Sequence, residues 1–219
     1  MTEAEEPRRA PPPPPGRAAR IGITGPIGCG KSTIARWLGE RPAVVVIDAD
    51  RVARDVLGPG EPALASVIAR FGAALLQADG ELDRAALGRL VFADPAALQD
   101  LEAIVHPAVR PRILAALAEA DAAGAAAVVI EAIKLVEGGL AAECDEVWLV
   151  TCDPVVQHVR LIGRGSTESD ATQRIAAQGE LVGRGTPVAT RVVDASLDTE
   201  STRRRVEAAL DEARRARRP

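Results

Sequence analysis

The chain has 219 residues, with 27 Lys and Arg against 31 Asp and Glu for a net charge of −4; 47% of its residues are hydrophobic and 2% aromatic. That length suits one well-cored domain with room for inserted segments. The acidic balance speaks against a general nucleic-acid or anionic-membrane surface and makes a small phosphorylated molecule the better class of partner. With so few rings, the core has to be assembled from Ala, Val, Leu and Ile packed between helices and a sheet, which is the α/β way of layering.

Cys29, Cys144 and Cys152 form neither a C-x-x-C pair nor an even disulfide framework. They are expected to be reduced thiols of a cytoplasmic protein and not metal ligands. No run approaches about 18 consecutive apolar residues, and the N-terminus is charged and proline-rich in place of an apolar signal core, so neither a membrane span nor a secretory leader is expected. Residues 1–19 include the run Pro11 to Pro15, which lacks amide donors and apolar side chains, and read as a disordered or polyproline-like tail.

Residues 20–24 read as a buried strand, and directly after them stands Gly25-Pro26-Ile27-Gly28-Cys29-Gly30-Lys31-Ser32, a G-x-x-x-x-G-K-S phosphate-binding loop followed by Thr33. Glycines let successive amides turn inward onto phosphate oxygens, and the next helix adds the positive end of its dipole. Lys31 then reaches the outer phosphates, and the Ser32 hydroxyl is the candidate Mg2+ ligand. A Gly-rich turn that only caps a helix is the competing reading; the strand before the loop and the helical spacing of Ile34, Trp37 and Leu38 after it favour phosphate binding.

Residues 43–47 form a β-branched run expected to be a strand buried on both faces, ending in Asp48-Ala49-Asp50. Carboxylates at such a strand end fall in the ligand crevice of open α/β sheets. Asp50 is either the cap of a helix over 51–57 or a general base for an attacking hydroxyl. Residues 63–123 turn helical, with Asp83 and Asp94 as N-caps and Pro95 opening a helix. His106-Pro107 predicts a break in that helix with the imidazole left at it, either as a satisfied structural histidine or as a ligand contact. Further strands are expected over 125–130, 146–151 and 191–193, and helices over 154–163, 170–181 and 199–218.

Strands alternating with helices predict a doubly wound, five-stranded parallel sheet of the P-loop kinase type. The core is expected from 20–57, 125–163 and 186–219, with a helical acceptor insert over 58–124 and a lid over 164–185. An insert for a second substrate and a late Arg-bearing segment separate a kinase from a switch or motor.

The runs I-G-I-T-G-P-I-G-C-G-K-S-T, V-I-D-A-D-R-V-A-R-D-V-L-G-P-G, A-D-G-E-L-D-R-A-A-L-G-R-L-V-F-A-D-P and I-V-H-P resemble the dephospho-CoA kinase family over roughly residues 20–180. The resemblance implies transfer of the γ-phosphate of ATP, with Mg2+, to the ribose 3′-hydroxyl of dephospho-CoA. It implies Asp50 as catalytic base, Lys31 and Ser32 as nucleotide-phosphate and Mg2+ residues, His106 as an acceptor contact and Arg164 as the lid arginine that balances charge on the transferred group. Another small-molecule or nucleoside monophosphate kinase, or a nucleotide-binding regulator without transfer, are the alternatives. The chain departs from the family pattern at Pro26 and Cys29 in the loop, at Ala195 after the last strand, and at Lys134, whose charge either grips a phosphate or only covers surface.

Overall fold

The computed structural model describes residues 17–178, 180–196 and 198–216. Most of the expected proline-rich tail lies outside them. Its last residues do not: Ala18 is buried, and the first strand, β1 (Ala19–Thr24), opens one residue earlier than expected.

After the phosphate loop come α1 (Lys31–Gly39), β2 (Val44–Asp48) and α2 (Ala49–Asp55). The helical insert holds α3 (Pro62–Phe71), α4 (Arg84–Ala93) and α5 (Pro95–Ala122). Then follow β3 (Ala127–Glu131), β4 (Glu146–Thr151), α6 (Pro154–Ile162), α7 (Glu168–Ala176), α8 (Leu181–Gly185), β5 (Arg191–Asp194) and α9 (Thr199–Arg215). The sheet is parallel, in the order β2-β3-β1-β4-β5.

The central strands are covered on both sides, as crossover helices require. Successive side chains alternate between faces: in β3, Ala127 and Val129 join Ile21, Ile23, Ile34, Leu38 and Leu210 beneath α1 and α9, whereas Val128 and Ile130 join Ile113, Leu117 and Leu135 beneath α5. Gly22 of β1 is small of necessity, since a Cβ there would lie 2.5 Å from Leu135 Cδ2.

Three expectations need correction. β2 is an edge strand and is not buried on both faces; Val45 and Val46 keep 36% and 38% of their surface. A β-branched run reports strand propensity, and a position within the sheet is set by pairing with distant segments. Second, Pro107 does not break its helix. α5 runs through both Pro107 and Pro111, which are exposed, because Val109, Ile113 and Leu117 form a buried stripe at i, i+4, i+8. Third, the single helix expected over 170–181 is two, α7 and the short α8, with Gln178 in the turn between them. Asp83 and Asp94 are N-caps as expected, accepting from the amides of Ala86 and Ala96. Among the described residues no helix is long and apolar enough to cross a membrane.

Candidate active site

The loop between β1 and α1 is pressed against the sheet. Gly25 has φ 141°, and a Cβ on it would sit 2.0 Å from Val150 O of β4. Gly30, at φ 102°, is the N-cap of α1, whose first turn carries no acidic side chain to offset its dipole. Pro26 closes a tight turn: its carbonyl accepts from Cys29 N at 3.4 Å and from Lys31 Nζ at 3.0 Å. The Ile27 peptide is held at both ends, its N–H donating to Gln178 Oε1 at 2.6 Å and its carbonyl accepting from Gln157 Nε2 at 2.7 Å.

Lys31 is buried, and burial pushes its ammonium below the usual lysine value against the pull of Glu131 and Asp50. The Ser32 hydroxyl donates to Glu131 Oε1 at 2.5 Å. Glu131 ends β3 in register with Asp48 of β2 and Ile23 of β1. Burial raises its carboxyl above the ordinary range, opposed by the Ser32 hydrogen bond and Lys31.

The two aspartates after β2 have separate jobs. Asp48 is the N-cap of α2, accepting from Arg51 N at 2.8 Å, so the capping role considered for Asp50 belongs to Asp48. Asp50, in the first turn, faces the segment after β3, where its Oδ2 accepts from Ile133 N at 3.4 Å, and it lines the cavity under the phosphate loop. Burial raises its carboxyl, with the Ile133 amide and Lys31 pulling the other way.

Three cavities meet around these groups. One of about 110 Å³ lies under the loop, lined by Lys31, Ser32, Glu131, Asp50 and Arg164 among others. A second, of about 160 Å³, continues past Gly30 and Arg164 to Trp37, Arg160, Ala195, Thr199 and Thr202. The third, of about 280 Å³, lies between α2, α5 and the segment after β3; Leu57, Leu101, Val105 and Leu140 give it an apolar body, and Asp50, His106 and Lys134 line it too. Asp50 is thus a wall shared by the loop cavity and the large apolar one, and Arg164 is shared by the two smaller cavities.

Every residue singled out as catalytic or metal-binding from sequence lines the loop cavity, and His106 lines the large one. The sequence motifs assign no role to Glu131, Gln157, Gln178 and Arg160, which nevertheless frame the site. Glu131 had a signal, a carboxylate ending a wholly apolar strand. Arg160 had one too, one helical turn ahead of Arg164; its Nη2 donates to Ala195 O at 2.8 Å, and its buried Nη1 has no hydrogen-bond partner among the described residues. Gln178 reaches Ile27 across 151 positions and left no local signal.

A strand, phosphate loop and helix set in a five-stranded parallel sheet, with carboxylates at the neighbouring strand ends and a helical insert alongside, define a P-loop kinase fold. Residues 19–201 match the family model described as dephospho-CoA kinase. A dephospho-CoA kinase of Streptomyces avermitilis is 47% identical over 191 residues, covering 85% of this chain and 90% of that protein. One of Symbiobacterium thermophilum is 44% identical over 190 residues, covering 86% and 79%. The crystal structure of a Thermus thermophilus protein is similar with a TM-score of 0.73 at 32% identity, covering 90% of this chain and 98% of that one. A dephospho-CoA kinase structure from Campylobacter jejuni shares the fold, with a TM-score of 0.65 at 22% identity, covering 91% and 98%. The chain belongs to the dephospho-CoA kinase family.

Proposed function

We propose that the protein transfers the γ-phosphoryl group of ATP to the ribose 3′-hydroxyl of dephospho-CoA, giving CoA and ADP. The observation that carries this reading is the position of Asp50, among the described residues the one carboxylate that lines both the cavity under the phosphate loop and the large apolar cavity. A base that serves two substrates has to face both.

The roles follow from position. The loop amides and Lys31 hold the β- and γ-phosphates, and the cavity past Trp37 takes the nucleoside. The large cavity takes dephospho-CoA, with His106 as a contact. Asp50 accepts the proton of the 3′-hydroxyl as its oxygen attacks the γ-phosphorus; the bond to the β-phosphate oxygen breaks, and ADP leaves. Arg164, between the phosphate and nucleoside cavities, balances charge on the group in flight. Little covalent work falls to the protein, so placement and electrostatics supply the rate.

Among the described residues no group of three or more His, Cys, Asp or Glu has metal-binding spacing. A small set of hard oxygens completed by substrate phosphates is how Mg2+ is usually bound, and Ser32 Oγ with Glu131 beside Asp50 fits it. When bound, Mg2+ neutralises phosphate charge. Soluble substrates of this kind and free thiols at Cys29, Cys144 and Cys152 accord with work in the cytoplasm, with no nucleic-acid or membrane partner.

The test is to mix purified protein with Mg-ATP and dephospho-CoA and follow ADP and CoA. Stoichiometric formation of both is expected. Folded protein with no turnover above blank overturns the reading.

A further inference from the structure

The large cavity has an apolar body but carries charge, with Arg54, Arg110 and Lys134 set against Asp50 and Glu102. The three cations are not equivalent. Arg110 is held twice, donating to Glu143 Oε1 at 2.5 Å and Gly139 O at 3.2 Å. Arg54 stands 3.9 Å from Asp48, the cap of its own helix.

Lys134 differs from both. Its Nζ donates to Glu102 Oε1, and Glu102 lines the same cavity, so the pair reaches from the segment after β3 across to α5. The Lys134 and Glu102 side chains keep 45% and 27% of their surface. Solvent screens a pair this exposed, and holding two long side chains in one geometry costs entropy, so the contact is weak and readily exchanged. Lys134 also follows Ile133, whose amide holds Asp50, so the ammonium is borne by the short backbone segment that positions the proposed base.

We infer that Lys134 is a specificity-determining residue for the acceptor: its ammonium exchanges Glu102 for the diphosphate that links the nucleoside of dephospho-CoA to its pantetheine arm. This rests on the proposed function. A diphosphate presents two negative charges and several acceptor oxygens where Glu102 presents one carboxylate, so the exchange favours the ligand. Glu102 then competes with the substrate for the ammonium. The two halves of one ion pair therefore have opposite effects on binding, which a strut between α5 and the segment after β3 does not produce.

The test is calorimetric titration of the full chain with dephospho-CoA and with adenosine, which lacks the diphosphate, after thermal melts establish that each variant is folded. Lys134→Gln is expected to weaken dephospho-CoA binding about 10- to 100-fold, the worth of a charge-assisted contact, and to leave adenosine binding unchanged. Glu102→Gln is expected to leave dephospho-CoA binding equal or tighter, and Lys134→Arg to retain most of it. An equal loss for both ligands in Lys134→Gln, no loss at all, or a parallel loss in Glu102→Gln would overturn the inference. Selective binding in a protein with no turnover would fell the proposed reaction and leave the role of Lys134 standing.

Discussion

The Ser32 hydroxyl donates to Glu131 Oε1 across 2.5 Å, tying the first turn of α1 to the end of β3. Both groups line the cavity under the phosphate loop, which in the proposed reaction receives the β- and γ-phosphates. Glu131→Gln keeps the shape but removes the charge, so it is expected to raise the Mg2+ concentration for half-maximal rate about 10-fold or more, the cost of a lost charged contact. Initial rates against Mg2+ at saturating ATP measure it, and the KM for dephospho-CoA should not move.

Asp50→Asn is expected to lower kcat by about 10² to 10⁴, the usual worth of a general base, with ATP affinity nearly intact. The wild-type rate should fall on the acid side as Asp50 takes up a proton. Because burial raises this carboxyl, that limb belongs above the ordinary aspartate value of 3.8. A pH–rate profile of both proteins checks it: the limb is expected in the wild type and absent from the residual rate of Asp50→Asn.

The same burial has an opposite consequence for stability. The folded pKa values of Asp50 and Glu131 are raised, so the folded state binds their protons more tightly than the unfolded chain does. The stability that this protonation contributes is full below the unfolded values and is lost as pH rises through the folded ones. Asp50→Asn is therefore expected to melt above the wild type at pH 7, with the advantage fading as pH falls through the carboxylate range. Scanning calorimetry across pH reads the difference.

Gly25→Ala places a Cβ 2.0 Å from Val150 O at φ 141°, and backbone on both sides leaves no flexible neighbour to yield. A loss of at least about 2 kcal/mol is expected, together with loss of ATP binding. Gly60→Ala is the control: its φ is also positive, at 82°, but a Cβ there meets nothing within 4 Å. Its cost should stay near the 1–2 kcal/mol or so of left-handed backbone alone. Urea denaturation of the two variants separates collision from conformational strain.

Pro111 is exposed within α5 and denies its turn an amide donor. Pro111→Ala restores that donor and removes the ring's clash with the preceding turn, so a gain of up to about 3 kcal/mol is expected, with unchanged kinetics. An equal or lower melting temperature would mean that the ring contributes something in the folded state that α5 needs.

The parts of the site legible in sequence were those written in short range. The phosphate loop is one such part, because G-x-x-x-x-G-K-S needs no distant partner to take its shape. Alternating strands and helices were legible for the same reason. Asp48 and Asp50 were ambiguous because the choice of cap depends on where α2 begins, and that start is two residues earlier than the pattern suggested. The position of β2 at the sheet edge depends on pairing with β3, about 80 positions onward, and hydropathy carries no record of it. Helix α5 survived its prolines because tertiary burial of one stripe outweighed local propensity. The Gln157 and Gln178 contacts with the Ile27 peptide join segments that only the folded sheet brings together.

The shared wall at Asp50 also bears on how such an enzyme diversifies. The large cavity draws its lining from α2, α5 and the segment after β3, whereas the two smaller ones draw much of theirs from the loop, α1, α9 and the stretch around Arg160 and Arg164. On the proposed assignment of the cavities, substitutions along α5 are therefore expected to change which alcohol is accepted while the donor half stays intact. If Asp50 is the base proposed above, the scaffold is modular at the level of one side chain, and an acceptor half grafted onto this loop has one requirement, to bring its hydroxyl to that carboxylate.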